Sequence, residues 1–182
     1  MDIAYYNSQV REKSKPEGIQ RHVRRAVGGD RTNYTGLTKA NTAALEVVKC
    51  LFNSVLADDA EFRTLDIVDY YLNTPLLRSE NMRIKRTQIP DYIMVKYDLD
   101  GFLENGVVLW EISKGMYGLP QAGKLAHVRL IEHLKEHDYD QSPNVPCLFR
   151  HKTNGITFIL VVDDFGVKVN NEEGWQHILT TL

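Results

Sequence analysis

Cysteine is nearly absent: Cys50 and Cys147 are too few for a disulfide framework and lack the spacing of a zinc site. They read as buried or idle thiols of a reducing compartment. No apolar run approaches the roughly 20 residues a membrane-spanning helix needs. The N-terminal MDIAYYNSQVREK lacks the apolar centre of a signal peptide. There is no charge of one dominant sign either, with 22 Lys and Arg against 24 Asp and Glu and a net charge of -2. The chain as a whole therefore does not advertise nucleic-acid binding. Internal repeats and low-complexity tracts are also missing, which sets repeat architectures aside.

What is present suits an ordinary globular chain, 43% hydrophobic and 25% charged. Its 182 residues can bury one real core, or two small lobes. Basic charge is concentrated locally: Arg11, Lys13, Lys15, Arg21, Arg24, Arg25 and Arg31 stand against Glu12, Glu17 and Asp30. Such an arm can contact phosphates, and a solvated charged terminus explains it equally well.

The first 20 residues are polar and expected to be loosely ordered. Residues 23–36 read as a short strand stopped at Gly28-Gly29. NTAALEVVKCLFNSVLADD predicts a helix capped by Asn41 or Thr42, burying Leu45, Val48, Leu51 or Phe52, and Val55. FRTLDIVD (62–69) reads as a central strand covered on both faces, with Asp66 a costly acid on it. GVVLWEI is a further strand. KLAHVRLIEHLKEH is a helix with Leu125, Val128, Ile131 and Leu134 on its buried edge. TFILVV and a returning VKV then frame the pair Asp163-Asp164. The order predicts an α+β fold, an antiparallel sheet backed by the helices near 42–57 and 124–137.

Two adjacent acids at a hairpin are most often a charged turn. A different use exists if a third acid lies on a neighbouring strand, because two-metal phosphoryl transfer needs carboxylates that share divalent cations. Asp66 fits that part if strands 62–68 and 157–162 lie side by side.

Three segments, in one order, resemble a known family. LDIVDYYLNTPL (65–76), ISKGMYGLPQAG (112–123) and VVDDFG (161–166) are similar to motifs of reverse transcriptases, in particular those of copia-type LTR retrotransposons. RRAVGGD upstream and HDYDQSPNVPCLF downstream are similar to flanking stretches of the same family. The resemblance covers residues of about 20 to about 170, and its middle motif is the most specific. It implies a palm with an antiparallel sheet and a partial fingers subdomain, with residues of about 1–60 and 77–113 fingers-like and 61–76 and 114–182 palm-like. The family's thumb and RNase H segments have no counterpart among the 182 residues, so another polyprotein region is expected to supply them.

The resemblance also implies roles. Asp66, Asp163 and Asp164 would be catalytic, and Asp66, the Ile67 carbonyl and Asp163 would hold two Mg²⁺ or Mn²⁺ ions. Asp69, Tyr70, Tyr71, Gln121 and Arg25 would bind the deoxynucleoside triphosphate, with Tyr71 as the ring that excludes a 2′-hydroxyl and Arg25 as the triphosphate clamp. RNA or DNA template-primer would be the other partner, with no membrane, in a cytoplasmic retrotransposon particle or the nucleus. Two positions depart from the family: Val161 replaces the aromatic before the acid pair, and Val23 replaces a basic residue of the fingers. The competing reading is a retroelement remnant or domesticated fragment that binds nucleic acid or protein without polymerising. A chance zinc-type pattern, His133-x-x-Glu136-His137, reads better as a solvated helix.

Overall fold

The computed structural model describes residues 3–16 and 18–182, which form an α+β chain with two five-stranded sheets and four α-helices among them. The chain divides into two compact units, Met1–Thr38 with Tyr71–Ala122, and Lys39–Tyr70 with Gly123–Leu182. Residues 39–60, grouped above with the fingers-like part, thus fall in the second unit, and 114–122 fall in the first.

The first unit is built on β1 (Ala4–Lys15), β2 (Gly18–Gly28), β3 (Pro75–Lys85), β4 (Leu103–Glu104) and β5 (Val107–Lys114), in the order β2-β1-β3-β5-β4. The terminal segment expected to be loosely ordered is instead the 12-residue strand β1. Beyond Tyr6 its side chains are, Val10 apart, polar on both faces, and it is organised by eleven paired positions with β2, from Tyr5 opposite Gly28 to Lys15 opposite Gly18. Ala4, Val27, Met82, Ile84, Val108 and Ile112 form the core on one side of the sheet, where α1 (Asp91–Lys96) also contributes the buried Met94. The YGLP stretch closes the end of β2. Val27 donates its N–H to the Tyr117 carbonyl at 2.7 Å. Gly118, at φ +95°, passes so close that a Cβ there would lie 1.9 Å from the Val27 oxygen. Only glycine fits that position.

The second unit carries α2 (Leu45–Ala57), β6 (Glu61–Asp66), α3 (Ala122–Glu136, entering from the last residue of the first unit), β7 (Tyr139–Gln141), β8 (Leu148–His151), β9 (Thr157–Val161), β10 (Asp164–Val169) and α4 (Glu172–Thr181). Its sheet runs β6-β10-β9-β8-β7, with every pair antiparallel. Aromatic rings fill it: Phe158 stacks on Phe149 at 4.9 Å between centroids and meets Phe165 at 5.2 Å. Strand β6 lies at the sheet edge, not at its centre, and it pairs with β10 and not with 157–162.

Both predicted helices exist, with different ends and faces. Helix α2 starts at Leu45 behind Ala44, and neither Asn41 nor Thr42 caps it. The Ala43 N–H is taken by the Leu160 carbonyl at 2.9 Å, which holds this stretch extended. Leu51 and Val55 face inward as expected, while Leu45 and Phe52 are exposed. On α3 the buried row is Ala126, Leu130 and Leu134; Val128 points outward, and Leu125 and Ile131 are half-buried.

Candidate active site

The acid pair sits where β9 turns into β10. Val161 and Asp164 are partners across the hairpin, so Val162 and Asp163 alone make the loop. A two-residue connection favours residues that accept positive φ. Val162 takes that role at φ +63°, an uncommon conformation for a β-branched residue. Beyond the turn, Phe165, Val167 and Val169 are buried, so β10 is anchored immediately behind the acids.

Register brings the third acid in. Asp66 is the direct partner of Asp164 across β6 and β10, and the Ile67 N–H donates to the Asp163 carbonyl at 3.3 Å. Directly opposed residues in an antiparallel pair place their Cβ atoms about 4.5–5.5 Å apart on one face. Two carboxylates there repel. Partial desolvation by the neighbouring strand atoms, on a side chain that is still exposed, and then the charges of Asp163 and Asp164 push the Asp66 carboxyl above its ordinary range. Among the described residues no ion pair joins any of the three acids to a base.

Asp66 and Asp164 are exposed and Asp163 is half-buried. Asp66 is thus not the buried acid its strand suggested, because β6 is an edge. No three His, Cys, Asp or Glu side chains among the described residues converge as a ready-made metal cage. A pair of carboxylates is nevertheless a fitting donor set for Mg²⁺, which binds through one or two carboxylates with phosphate and water completing its shell.

Two basic side chains brace these strands, and sequence reasoning assigned neither. Lys168, on β10 and only 8% exposed, donates to the Ser54 carbonyl at 2.9 Å and to the Asp58 carboxylate, tying α2 to the sheet. Arg63, on β6, donates to Glu61 and to Glu172 of α4, each at 2.8 Å. A lysine inside the apolar run FGVKV was the available signal for the first.

The residues assigned to the nucleotide divide between the units: Asp69 and Tyr70 in the second, Arg25, Tyr71 and Gln121 in the first. Asp69 is exposed at φ +55°, and Tyr70 is buried. Tyr71 stands edge-on to Tyr117 at 5.0 Å, and Arg24 lies over the same Tyr117 ring at 4.2 Å. Arg25 is exposed on β2 opposite Ser8. Gln121 is only 2% exposed, and its amide donates to Glu80 at 3.0 Å.

On α3, the ring N–H groups of the zinc-type pattern are committed to backbone. His133 Nε2 donates to the Thr181 carbonyl at 2.5 Å, and His137 Nδ1 donates to the His133 carbonyl at 2.9 Å. Searches against protein families, against curated proteins and against solved structures found no match to this chain.

Proposed function

We propose that the chain is the nucleotidyl-transfer part of an RNA- or DNA-templated DNA polymerase, a reverse transcriptase of the copia-type kind that its motifs resemble. The observation that carries this reading is the register of β6 on β10, which sets Asp66 opposite Asp164 with Asp163 in the adjoining turn. In the reaction, a primer 3′-hydroxyl attacks the α-phosphate of a deoxynucleoside triphosphate. The new P–O bond forms as the bond to pyrophosphate breaks, and the hydroxyl proton is lost to solvent.

Asp66, Asp163 and the Ile67 carbonyl are the groups that would hold Mg²⁺ or Mn²⁺, and Asp164 supports them through charge. Bound cations supply charge neutralisation for the attacking and leaving oxygens. Uncompensated repulsion among the acids favours cation uptake, since a cation offsets what raises the Asp66 pKa. The resemblance alone would give the triphosphate to Arg25, exposed on β2, and the sugar to Tyr71, both of them in the first unit. Gln121, given a nucleotide contact by the resemblance, is instead 2% exposed and bonded to Glu80.

Primer extension tests this. The protein with Mg²⁺ or Mn²⁺ incorporates deoxynucleotides on a template-primer, and Asp163→Asn abolishes incorporation while leaving the fold intact by circular dichroism. Absence of incorporation by the unaltered protein, in a preparation that still binds template-primer, rejects the polymerase reading.

That outcome favours a binding module, for which one observation speaks independently. The pairing of β1 with β2 places Arg11, Lys13, Lys15 and Arg24 on one face of a long ribbon without an acid among them. Such a face suits a phosphate backbone, with affinity that falls with salt and survives Asp163→Asn.

A further inference from the structure

We propose that His151 is an acid-sensitive latch, holding the β8–β9 turn and helix α4 in place while its imidazole is neutral and releasing them when it is protonated.

The hydrogen bonds fix the proton's place. His151 Nδ1 accepts from the backbone N–H groups of Thr153 and of Asn154, each at 3.2 Å. A nitrogen that accepts two amide protons carries none itself, so the ring is the neutral form with its proton on Nε2. Protonating Nδ1 turns an acceptor into a donor aimed at two amide donors, with only the more distant Thr153 hydroxyl, at 3.5 Å, able to accept. The turn then loses both bonds, along with the geometry that lets Asn154 Oδ1 accept from the Ile156 N–H at 3.2 Å.

The neighbours make that protonation act on α4. His151 is 7% exposed. Its ring meets Tyr139 of β7 at 4.8 Å and His177 of α4 at 4.7 Å. His177 Nδ1 is 3.0 Å from the Tyr139 hydroxyl, which donates to a neutral ring and accepts from a charged one. The Tyr139–His177 contact can thus be made in either sense, whereas the two amides facing His151 can only donate. A charge on both rings sets two cations against each other between β8 and α4. The remaining charges facing His151 are Asp138, just before β7, and Lys152 in the turn, which pair with each other at 2.7 Å and act on it in opposite senses. Helix α4 also touches the turn through Gly174, where an added Cβ would lie 3.3 Å from Ile156.

Burial, followed by the His177 charge, holds the His151 pKa below the ordinary imidazole value. A base depressed on folding stabilises fully above its unfolded pKa, about 6.5, and loses that contribution as pH falls below it. The device is independent of the polymerase reading, since none of its groups belongs to the acid site.

Amide hydrogen exchange on the whole chain tests it. Between about pH 7.5 and 5.5, after correction for intrinsic rates, opening of residues 152–156 and of α4 increases about tenfold, the factor expected for an imidazole of unfolded pKa about 6.5. In His151→Asn, whose Oδ1 can accept the same two amides, that increase disappears. An equal increase in the variant overturns the proposal. Independently of how the variant folds, NMR titration of the unaltered protein is expected to place His151 below 6.5, and a value at or above that also overturns it.

Discussion

The sheet of the second unit is closed over stacked rings, whereas the sheet of the first has a large cavity beside its core. Phe149, Phe158 and Phe165 are each at most 1% exposed in the former. In the latter a cavity of about 1150 Å³ runs over the sheet face, bordered by Tyr6, Val23, Met82, Ile84, Trp110 and Met116. The ribbon of β1 and β2 extends the contrast, with Val10, Ile19 and Val23 more than half exposed. The difference teaches where precision can reside. Under the proposed function, carboxylates sharing a cation would need a backbone that does not shift, and the filled unit carries all three of the acids.

Breaking the filled side gives the largest effect. Phe158→Ala removes a fully buried ring between two others and is expected to cost about 3–5 kcal/mol in urea unfolding. Val23→Ala on the open side should stay within about 0.5 kcal/mol. Next comes Lys168→Ala, which removes the charged bonds from the sheet to Ser54 and Asp58, although the Ser54 carbonyl keeps the Asp58 N–H, and should cost about 1–3 kcal/mol. Little recovery in Lys168→Met, which keeps an apolar stem without the donors, would attribute the loss to the polar bonds and not to the stem.

The open side should answer in binding instead. Replacing Arg11, Lys13, Lys15 and Arg24 by Gln is expected to weaken duplex binding and flatten its salt dependence by up to about 0.9 in log-log slope per lost contact. Unfolding should be unchanged to within about 0.5 kcal/mol.

The smallest effect belongs to the acids. A carboxyl whose folded pKa is raised adds stability below its unfolded pKa and loses it as pH rises through the folded value. Asp66→Asn should therefore stabilise the protein near neutrality, by less than about 1 kcal/mol because the group is exposed and screened, and should flatten the pH dependence above about pH 4. Millimolar Mg²⁺ should raise the melting temperature of the unaltered protein and not of this variant.

Sequence and structure agree where local pattern and tertiary demand coincide. The hairpin of 157–169 was legible because apolar β-formers flank a polar turn. Strand β1 was not, since Asn7, Ser8, Gln9, Arg11 and Glu12 carry no alternation of two, and its order comes from pairing with β2. The start of α2 was misread because a bond from Ala43 to Leu160 outweighs the capping preference of Asn41. On α3, the small Ala126 lies on the buried row while the larger Val128 does not, which is a matter of fit and not of hydropathy. The adjacency of Asp66 and the acid pair was anticipated, but through the wrong strand. Edge or centre is a property of strand order, which no single segment encodes. The burial of Gln121 depends on Glu80, 41 residues away, and was beyond any local motif.

Val162 carries a consequence for engineering. A left-handed β-branched residue costs on the order of 1–3 kcal/mol, and glycine or asparagine would relax it. Libraries sorted for thermal resilience alone should therefore drift to those residues at this position, while libraries sorted for cation-dependent work should retain valine if its bulk is what aims Asp163. The turn thus offers a readout of purpose that needs no knowledge of the substrate: the residue that wins depends on what is being selected.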